Sequence, residues 1–139
     1  MPTPTVGRKP GPWLIELDFA PPSINHSHNR SGHRTQATRF MMDDIAKRTL
    51  AAGFGIPHPG RYYSVRVAFT FEDWSSDVDN RLKSLLDGIF GSRADQRIVH
   101  VEATKHVDPQ RGNLATVLIQ EVDGDYWADD AARLRRVVG

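Results

Sequence analysis

One stretch of the chain alternates large apolar residues with smaller or polar ones more regularly than any other. In YYSVRVAFTFE, residues 62–72, a large apolar side chain recurs at every second position. These residues are Tyr63, Val65, Val67, Phe69 and Phe71. Successive side chains of a β-strand point to opposite faces, so this spacing places all of them on one face. The sequence therefore predicts a sheet with one face buried under a second layer.

Two further runs have the period of a helix. The run after the strand predicts a helix from Asn80 to Phe90, ended by Gly91. Its apolar residues are Leu82, Leu85, Leu86, Ile89 and Phe90. An earlier helix is predicted from Thr38 to Gly53, with Lys47 and Arg48 toward its C-terminal half, as the helix dipole prefers. The residues expected near its apolar face are Phe40 or Met41, Ile45 and Leu50.

Three more β-rich runs and a tail complete the chain. Residues 13–19 predict a first strand, and residues 97–107 and 114–122 predict two strands that pair as a hairpin across the turn DPQRGN. Residues 123–139 predict a short amphipathic helix with Trp127 and Leu134 on its apolar stripe. The prediction is one small α+β domain: a mixed β-sheet of about four strands, two main helices packed on it, and a C-terminal helical extension. Residues 1–12 are expected to form a disordered arm, residues 13–122 the domain, and residues 123–139 the extension.

Composition excludes several classes of protein. A chain of 139 residues fits one domain, and no window approaches the ~18 apolar residues of a membrane span. The first residues lack the apolar centre of a secretory leader, so we expect a cytoplasmic protein without a membrane partner. The chain has no cysteine, which excludes disulfides, thiolate catalysis and cysteine-based zinc sites. Carboxylates and histidines remain as metal ligands, which favours hard cations.

Charge is unevenly distributed although the net charge is only +1. The charged residues of segment 1–40 are mostly basic, five against two acidic ones. Residues 73–95, by contrast, contain five aspartates against three basic residues. The aspartates are Asp73, Asp77, Asp79, Asp87 and Asp95. This distribution suits an enzyme that binds phosphates with one segment and holds a cation with another.

Asp77 and Asp79 lie where the strongest strand gives way to the second helix. Residues two apart in an extended segment point the same way, so the two carboxylates are expected to converge. Magnesium takes one or two carboxylates and keeps waters and substrate phosphates as its other ligands. The alternative is that an aspartate caps the helix. Capping fully explains one aspartate at this place, but it does not explain two that are spaced for the same face.

Three nearby features leave alternatives open or exclude other sites. Lys83 either points back toward the carboxylates or pairs with Asp87 on the helix surface. Asp95 is expected to return to the same sheet edge after the helix. A calcium loop counted from Asp77 fails, because its sixth position is Leu82 rather than glycine. The histidines of the loop at residues 20–36 lack a fourth zinc ligand, and no phosphate-binding glycine loop is present, so no nucleotide cofactor is expected.

These residues resemble the RusA family of Holliday junction resolvases, small phage- and prophage-encoded endonucleases. The segment DVDNRLKSLLDGIF looks like the family signature Asp-x-Asp-Asn-x-x-Lys-x-x-x-Asp, and APPSINH and GHRT resemble its amino-terminal segments. The matching signature residues are Asp77, Asp79, Asn80, Lys83 and Asp87. The chain departs from the pattern at Ala94, where the family has an acid before Asp95, and at Arg97, where it has glutamine.

The resemblance implies a homodimer that resolves four-way DNA junctions by paired, magnesium-dependent hydrolysis in recombination and repair, with manganese able to substitute. Asp77, Asp79 and Asp95 would hold the metal and Lys83 would be catalytic. The residues expected to contact DNA are Asn25, Arg30, His33, Arg34 and Asn80. Two other readings stay open: a branched-DNA-binding protein without catalysis, and a nuclease selective for forks or flaps.

Overall fold

The computed structural model describes residues 11–23, 36–55, 60–91 and 94–139, and for residues 94 and 95 it describes the backbone. The described chain forms four strands and four helices, the third helix being a single turn. In chain order they are β1 (Trp13–Leu17), α1 (Gln36–Ala51), β2 (Tyr62–Phe71), α2 (Val78–Phe90), α3 (Ala94–Arg97), β3 (Ile98–Val107), β4 (Leu114–Val122) and α4 (Asp130–Val138). The predicted α+β class with a mixed four-strand sheet is confirmed.

The strands lie in the order β1-β4-β2-β3. β4 pairs antiparallel with β1 and with β2, whereas β3 pairs parallel with β2. The predicted hairpin of β3 and β4 is therefore wrong, because β2 lies between them. The turn after β3 instead carries the chain across the end of β2. There the backbone N–H of Asp108 donates to Phe71 O at 2.9 Å, and the Asn113 side chain accepts from the backbone N–H of Glu72 at 3.1 Å.

The alternating residues of β2 face the helical layer, as predicted. All of them are buried, with no more than 4% of any residue exposed. On the helical side α1 contributes Ile45, and α2 contributes Leu85, Ile89 and Phe90, which are also buried. Burying apolar surface stabilises the fold by about 25 cal/mol per Å², so this layer of contacts is the main stabilising term. The opposite face of the sheet is more polar and includes the Arg66–Glu102 ion pair at 2.6 Å.

Helix α1 buries a different stripe from the predicted one. Phe40 and Leu50 are 65% and 64% exposed, whereas Ile45 is fully buried. The buried stripe includes two threonines, Thr38 and Thr49. A buried hydroxyl requires a hydrogen-bond partner, and Thr49 Oγ1 donates to Ile45 O at 2.7 Å. The hydroxyl is satisfied within the helix, so threonine can occupy the position where the pattern predicted a larger apolar residue.

The tail forms turns before its helix begins at Asp130. None of the residues of α4 is buried, and Leu134 is 63% exposed. Trp127, just before the helix, stacks on His100 of β3 with ring centroids 4.0 Å apart. The tail is thus attached to the polar face of the sheet through Trp127, whereas Leu134 on the same predicted stripe is exposed in the single chain. No helix in the described ranges is long and apolar enough to cross a membrane.

Candidate functional site

The site predicted from sequence lies at the start of α2, beyond the end of β2. Asp77 has an extended backbone, with φ −94° and ψ 117°, and is the N-cap of α2. Its carboxylate accepts from the backbone N–H of Asp79 at 3.0 Å and from the side chain of Asn80 at 2.8 Å. Caps of this kind satisfy N–H groups that the helix leaves without partners. Asp77 is thus held in a fixed orientation, and Asn80 helps to hold it.

Asp79 lies in the first turn of α2 rather than in an extended segment. The expectation that both aspartates are extended therefore holds for Asp77 alone. The side chain of Asp79 is exposed, and no hydrogen bond or ion pair within the described ranges occupies its carboxylate. The positive end of the helix dipole favours a negative charge at this position. Capping does not account for Asp79, whose carboxylate is available to a ligand.

The donor set of the two aspartates fits a hard divalent cation in part. Each oxygen of Asp77 accepts one hydrogen bond and retains further lone-pair capacity, and Asp79 contributes a second carboxylate. Within the described ranges, no group of three histidine or acidic side chains lies close enough to hold a metal. Two carboxylates are a sufficient protein contribution for magnesium, which completes its coordination with water and phosphate.

Lys83 projects from α2 one turn after Asp79 and is exposed. No ion pair between described residues includes Lys83, so the surface pair with Asp87 that the sequence left open is not formed. The Lys83 ammonium group, without an ion pair among the described residues, is available to bind another anion. A phosphate close to Asp79 would be such an anion.

Arg81 is part of the site although sequence reasoning counted it only as a charge. Its guanidinium donates to Pro21 O at 2.7 Å and lies over the Phe71 ring, 5.7 Å from the centroid. Burial lowers the pKa of Arg81, while Asp73 and Asp77 act to raise it. The contact fixes the Pro-Pro segment at Pro21 beside the acidic residues. The sequence signal for this contact was that the segment around Pro21 and the segment that contains Arg81 both resemble the RusA family. That resemblance did not specify a contact between them.

Lys105 of β3 holds the loop between β2 and α2. Its ammonium group donates to Trp74 O at 2.8 Å and to Ser76 O at 2.7 Å. Asp73, in the same loop, accepts from the backbone and the side chain of Ser75, and these bonds lower the pKa of Asp73 below its ordinary value of 3.8. Lys105 lies two residues from Ala103 and from Val107 and so shares their face of β3, which was the available signal that it has a structural partner.

Asp95 lies at the other end of α2 from the aspartate pair. Arg81, near the start of α2, contacts the last residue of β2, whereas Phe90, at its end, contacts Tyr63 near the first, with ring centroids 5.7 Å apart. A helix of 13 residues is about 20 Å long. Since α3 precedes β3 at the Tyr63 end of the sheet, the expected return of Asp95 to the same sheet edge is wrong.

Four predicted DNA contacts lie outside the described residues. They are Asn25, Arg30, His33 and Arg34. The fifth, Asn80, is placed at the site, where its side chain bonds Asp77. The structure therefore brings together Asp77, Asp79, Asn80 and Lys83 at one end of α2 and leaves the backbone of Asp95 at the opposite end.

Variants of Asp77 separate its capping role from a role in chemistry. Asparagine is as good an N-cap as aspartate, so Asp77→Asn is expected to keep stability within about 0.5 kcal/mol. Asp77→Ala removes the acceptor and is expected to cost about 1 kcal/mol in free energy of unfolding, measured in urea. Both are expected to lose metal-dependent cleavage of branched DNA. If Asp77→Asn cleaved at the wild-type rate, the role of Asp77 would be limited to capping α2.

Comparison with known proteins does not identify a family, so the evidence for one is the sequence motif alone. No protein-family model matches the chain, and no curated protein sequence matches it significantly. The resemblance to the RusA family therefore rests on the residues from Pro21 to Asp95 described above.

Proposed function

We propose that the protein is a magnesium-dependent endonuclease that resolves four-way DNA junctions. The observation that carries this proposal is the pair of carboxylates at the start of α2. Asp77 is held in place by the helix it caps, and Asp79 beside it is exposed and without a partner among the described residues. Lys83, one turn after Asp79, makes no ion pair with any described residue. An anchored acid, a free acid and a free lysine in this order match the RusA-like signature.

Each side chain has a distinct role in the proposed hydrolysis. Asp77 and Asp79 would hold magnesium, whose chemistry when bound is to neutralise phosphate charge and to lower the pKa of water. Lys83 would donate to a phosphate oxygen and stabilise the negative charge that grows on it during hydrolysis. Arg81 keeps the Pro21 segment against α2 and so fixes one wall of the site.

A homodimer is part of the proposal, and it would reconcile the position of Asp95 with a role at the metal site. About 20 Å of helix separates Asp95 from the aspartate pair in one chain, which is too far for a shared ion. If Asp95 contributes to the metal site, it has to come from a second copy. Two-fold symmetry would then give two such sites, one for each strand of a symmetric junction.

Mixing two inactive variants tests whether the site is shared. In a dimer of Asp79→Asn with Asp95→Asn, shared sites would concentrate both defects in one site and leave the other intact. Free exchange in an equal mixture makes about half of the dimers heterodimers, each with one intact site, so we expect the mixture to regain single-strand nicking at roughly a quarter of the wild-type rate per dimer. The checks are light scattering for the dimer and denaturing electrophoresis for the nicks. A mixture as inactive as its components would show that Asp95 does not act across the dimer.

Replacing Lys83 by alanine is expected to slow cleavage without affecting folding. Loss of one charged donor to the transition state reduces turnover by roughly ten- to a hundred-fold. The measurement is the single-turnover rate on a junction at saturating protein, together with thermal unfolding. Lys47→Ala, an exposed lysine of α1, is the matched control and should cut at the wild-type rate. An unchanged cleavage rate for Lys83→Ala would show that Lys83 is a solvated surface residue without a role in cleavage.

A second candidate function, branched-DNA binding without catalysis, is favoured by one observation. Asp77 is engaged as a helix cap, and the described residues include no three-ligand metal group. In this reading the acids near α2 are structural, and basic residues do the binding. In that case Asp79 interacts with the helix dipole alone, and the match of the two aspartates and Lys83 to the signature has no functional meaning.

A substrate panel distinguishes these functions. Synthetic four-way junctions, forks, flaps and linear duplex are incubated with magnesium, with manganese and with chelator. The proposal expects paired, metal-dependent nicks confined to the four-way junction. Tight junction binding without cleavage in either metal would favour the non-catalytic function, and equal cutting of forks or flaps would indicate a nuclease of broader structure selectivity.

A further inference from the structure

The loop that leads into the aspartate pair carries an exposed indole. Trp74 lies three residues before Asp77 and is 75% exposed. The other two tryptophans contrast with it: Trp13 is 2% exposed in the core, and Trp127 stacks on His100. Within the described ranges no aromatic ring packs against Trp74. A single exposed apolar residue is ordinary on a protein surface, so exposure alone assigns no role.

The backbone around Trp74 is held in place, which distinguishes it from a residue at a loose loop tip. Lys105 donates to the carbonyls of Trp74 and Ser76, at 2.8 and 2.7 Å, and its ammonium lies 5.5 Å from the centroid of the indole. The turn formed by Asp73 and Ser75 fixes the residues on either side. The indole is therefore presented to solvent from a defined position, with a cation on one side.

The cation beside the indole retains part of its binding capacity. An ammonium group has three donors, and Lys105 uses two of them on backbone carbonyls. One donor remains next to the exposed indole, and the positive charge there also interacts with the Asp73 carboxylate of the same loop. An exposed π-face beside a positive charge suits a ligand that combines a flat ring with an anion, and a nucleotide is such a ligand.

We propose that Trp74 is a stacking platform for an unpaired nucleobase next to the phosphodiester bound at Asp77 and Asp79. This inference rests on the proposed function and deepens it by naming what the site recognises in branched DNA. Bases within linear duplex are stacked on their neighbours and would have to be extruded at a cost of a few kcal/mol, whereas bases at a branch point give up less stacking. Trp74 thereby favours a branch point over duplex. Lys105 is its positioning residue.

Binding in the absence of metal tests the proposal separately from cleavage. The full-length protein is titrated, with chelator present, into a four-way junction carrying 2-aminopurine at the exchange point and into a linear duplex of the same sequence. Trp74→Ala is expected to weaken junction binding by about 5- to 150-fold, the equivalent of 1–3 kcal/mol per stacked base. Duplex affinity should change less than about twofold. The wild type is expected to change 2-aminopurine fluorescence on binding, and Trp74→Ala to lose that change.

Two further variants separate stacking from other roles. Trp74→Phe keeps an aromatic face and is expected to restore most of the affinity and the fluorescence change. Tyr126→Ala, which removes an aromatic residue 57% exposed in the tail, is the matched control and should bind as the wild type does. Lys105→Met, which removes the two hydrogen bonds to the loop, should lose junction preference while thermal unfolding confirms a folded protein.

Three results would overturn the proposal. One is equal weakening of junction and duplex by Trp74→Ala, which would indicate a general contact. Another is no effect of Trp74→Ala on junction binding, whether binding is unchanged or the wild type does not bind the junction at all. The third is a change of dimer mass in light scattering for Trp74→Ala, which would mean that a second copy covers the indole. If the wild type binds the junction with these features and never cuts it with magnesium, the proposed nuclease function fails and the stacking role stands.

Discussion

Replacing Asp79 by asparagine is expected to abolish metal-dependent cleavage of a four-way junction and to leave junction binding intact. The carboxylate is exposed and has no partner among the described residues, so its loss costs the fold little. An amide is a much weaker ligand than a carboxylate for magnesium, and several kcal/mol of transition-state stabilisation are lost with it. At tenfold per 1.4 kcal/mol, cleavage falls by about a thousand-fold or more. Removing a negative charge near DNA should slightly tighten binding.

The measurement pairs single-turnover cleavage with an equilibrium binding titration in chelator. Asp129→Asn is the matched control, because Asp129 is an exposed aspartate at the start of another helix, α4, and makes no side-chain cap hydrogen bond there. It is expected to cut at the wild-type rate. If Asp79→Asn cut as fast as the wild type, the metal site would not be at the start of α2. If it lost binding together with cleavage, Asp79 would be needed for the structure of the DNA-binding surface.

Replacing Phe54 by alanine is expected to produce the largest loss of stability. Phe54 is 1% exposed and lies among aromatic rings from three parts of the fold. Its ring centroid is 5.0 Å from that of Trp13 and 5.3 Å from those of Tyr63 and Phe90. Removing a buried phenyl group costs about 3–5 kcal/mol, from lost transfer energy and the cavity left behind. For a domain of this size, the melting temperature should fall by roughly 10 to 20 °C.

The control for this prediction is Phe40→Ala, which removes the same group from the exposed side of α1. Phe40 is 65% exposed, so the free energy of unfolding should change by less than about 0.5 kcal/mol. Urea denaturation followed by circular dichroism gives both values. Similar effects of the two variants would show that Phe54 is not in the core. At a temperature where it is folded, Phe54→Ala should cleave junctions at the wild-type rate, because Phe54 packs against Tyr63 and Phe90, at the other end of α2 from Asp79.

Sequence patterns predicted the elements of the fold better than their arrangement. The period-two run of β2 and the helical run of α2 are found with nearly the predicted bounds, since each pattern directly reflects which side chains are buried. The order of strands is not encoded in such local patterns. The turn after Val107 resembles a hairpin turn, and only the parallel pairing of β2 with β3 reveals that it crosses the end of β2. For α1 the apolar pattern predicted the wrong buried stripe. Thr49 can be buried because its hydroxyl donates a hydrogen bond within the helix.

The site was predictable to the extent that it is local. Asp77, Asp79, Asn80 and Lys83 lie within two turns of one helix, so the sequence alone places them together. Arg81 and Lys105 were missed because their partners, Pro21 and the carbonyls of the loop, come from other parts of the chain. The position of Asp95 depends on the direction of α2 relative to the sheet, which follows from tertiary structure and not from spacing.

The pairing of β1 with β4 has a consequence for how the chain folds as it is synthesised. Trp13 pairs with Ile119, so β1, the first of the described strands to be synthesised, waits for β4, the last of them, before it can enter the sheet. At translation rates of 5–20 residues per second, this wait lasts about 5 to 20 s. During that time the apolar face of β1, with Ile15 and Leu17, has no partner strand. Closing such a distant contact late gives the chain a high contact order and a slow final folding step, during which chaperones can bind β1.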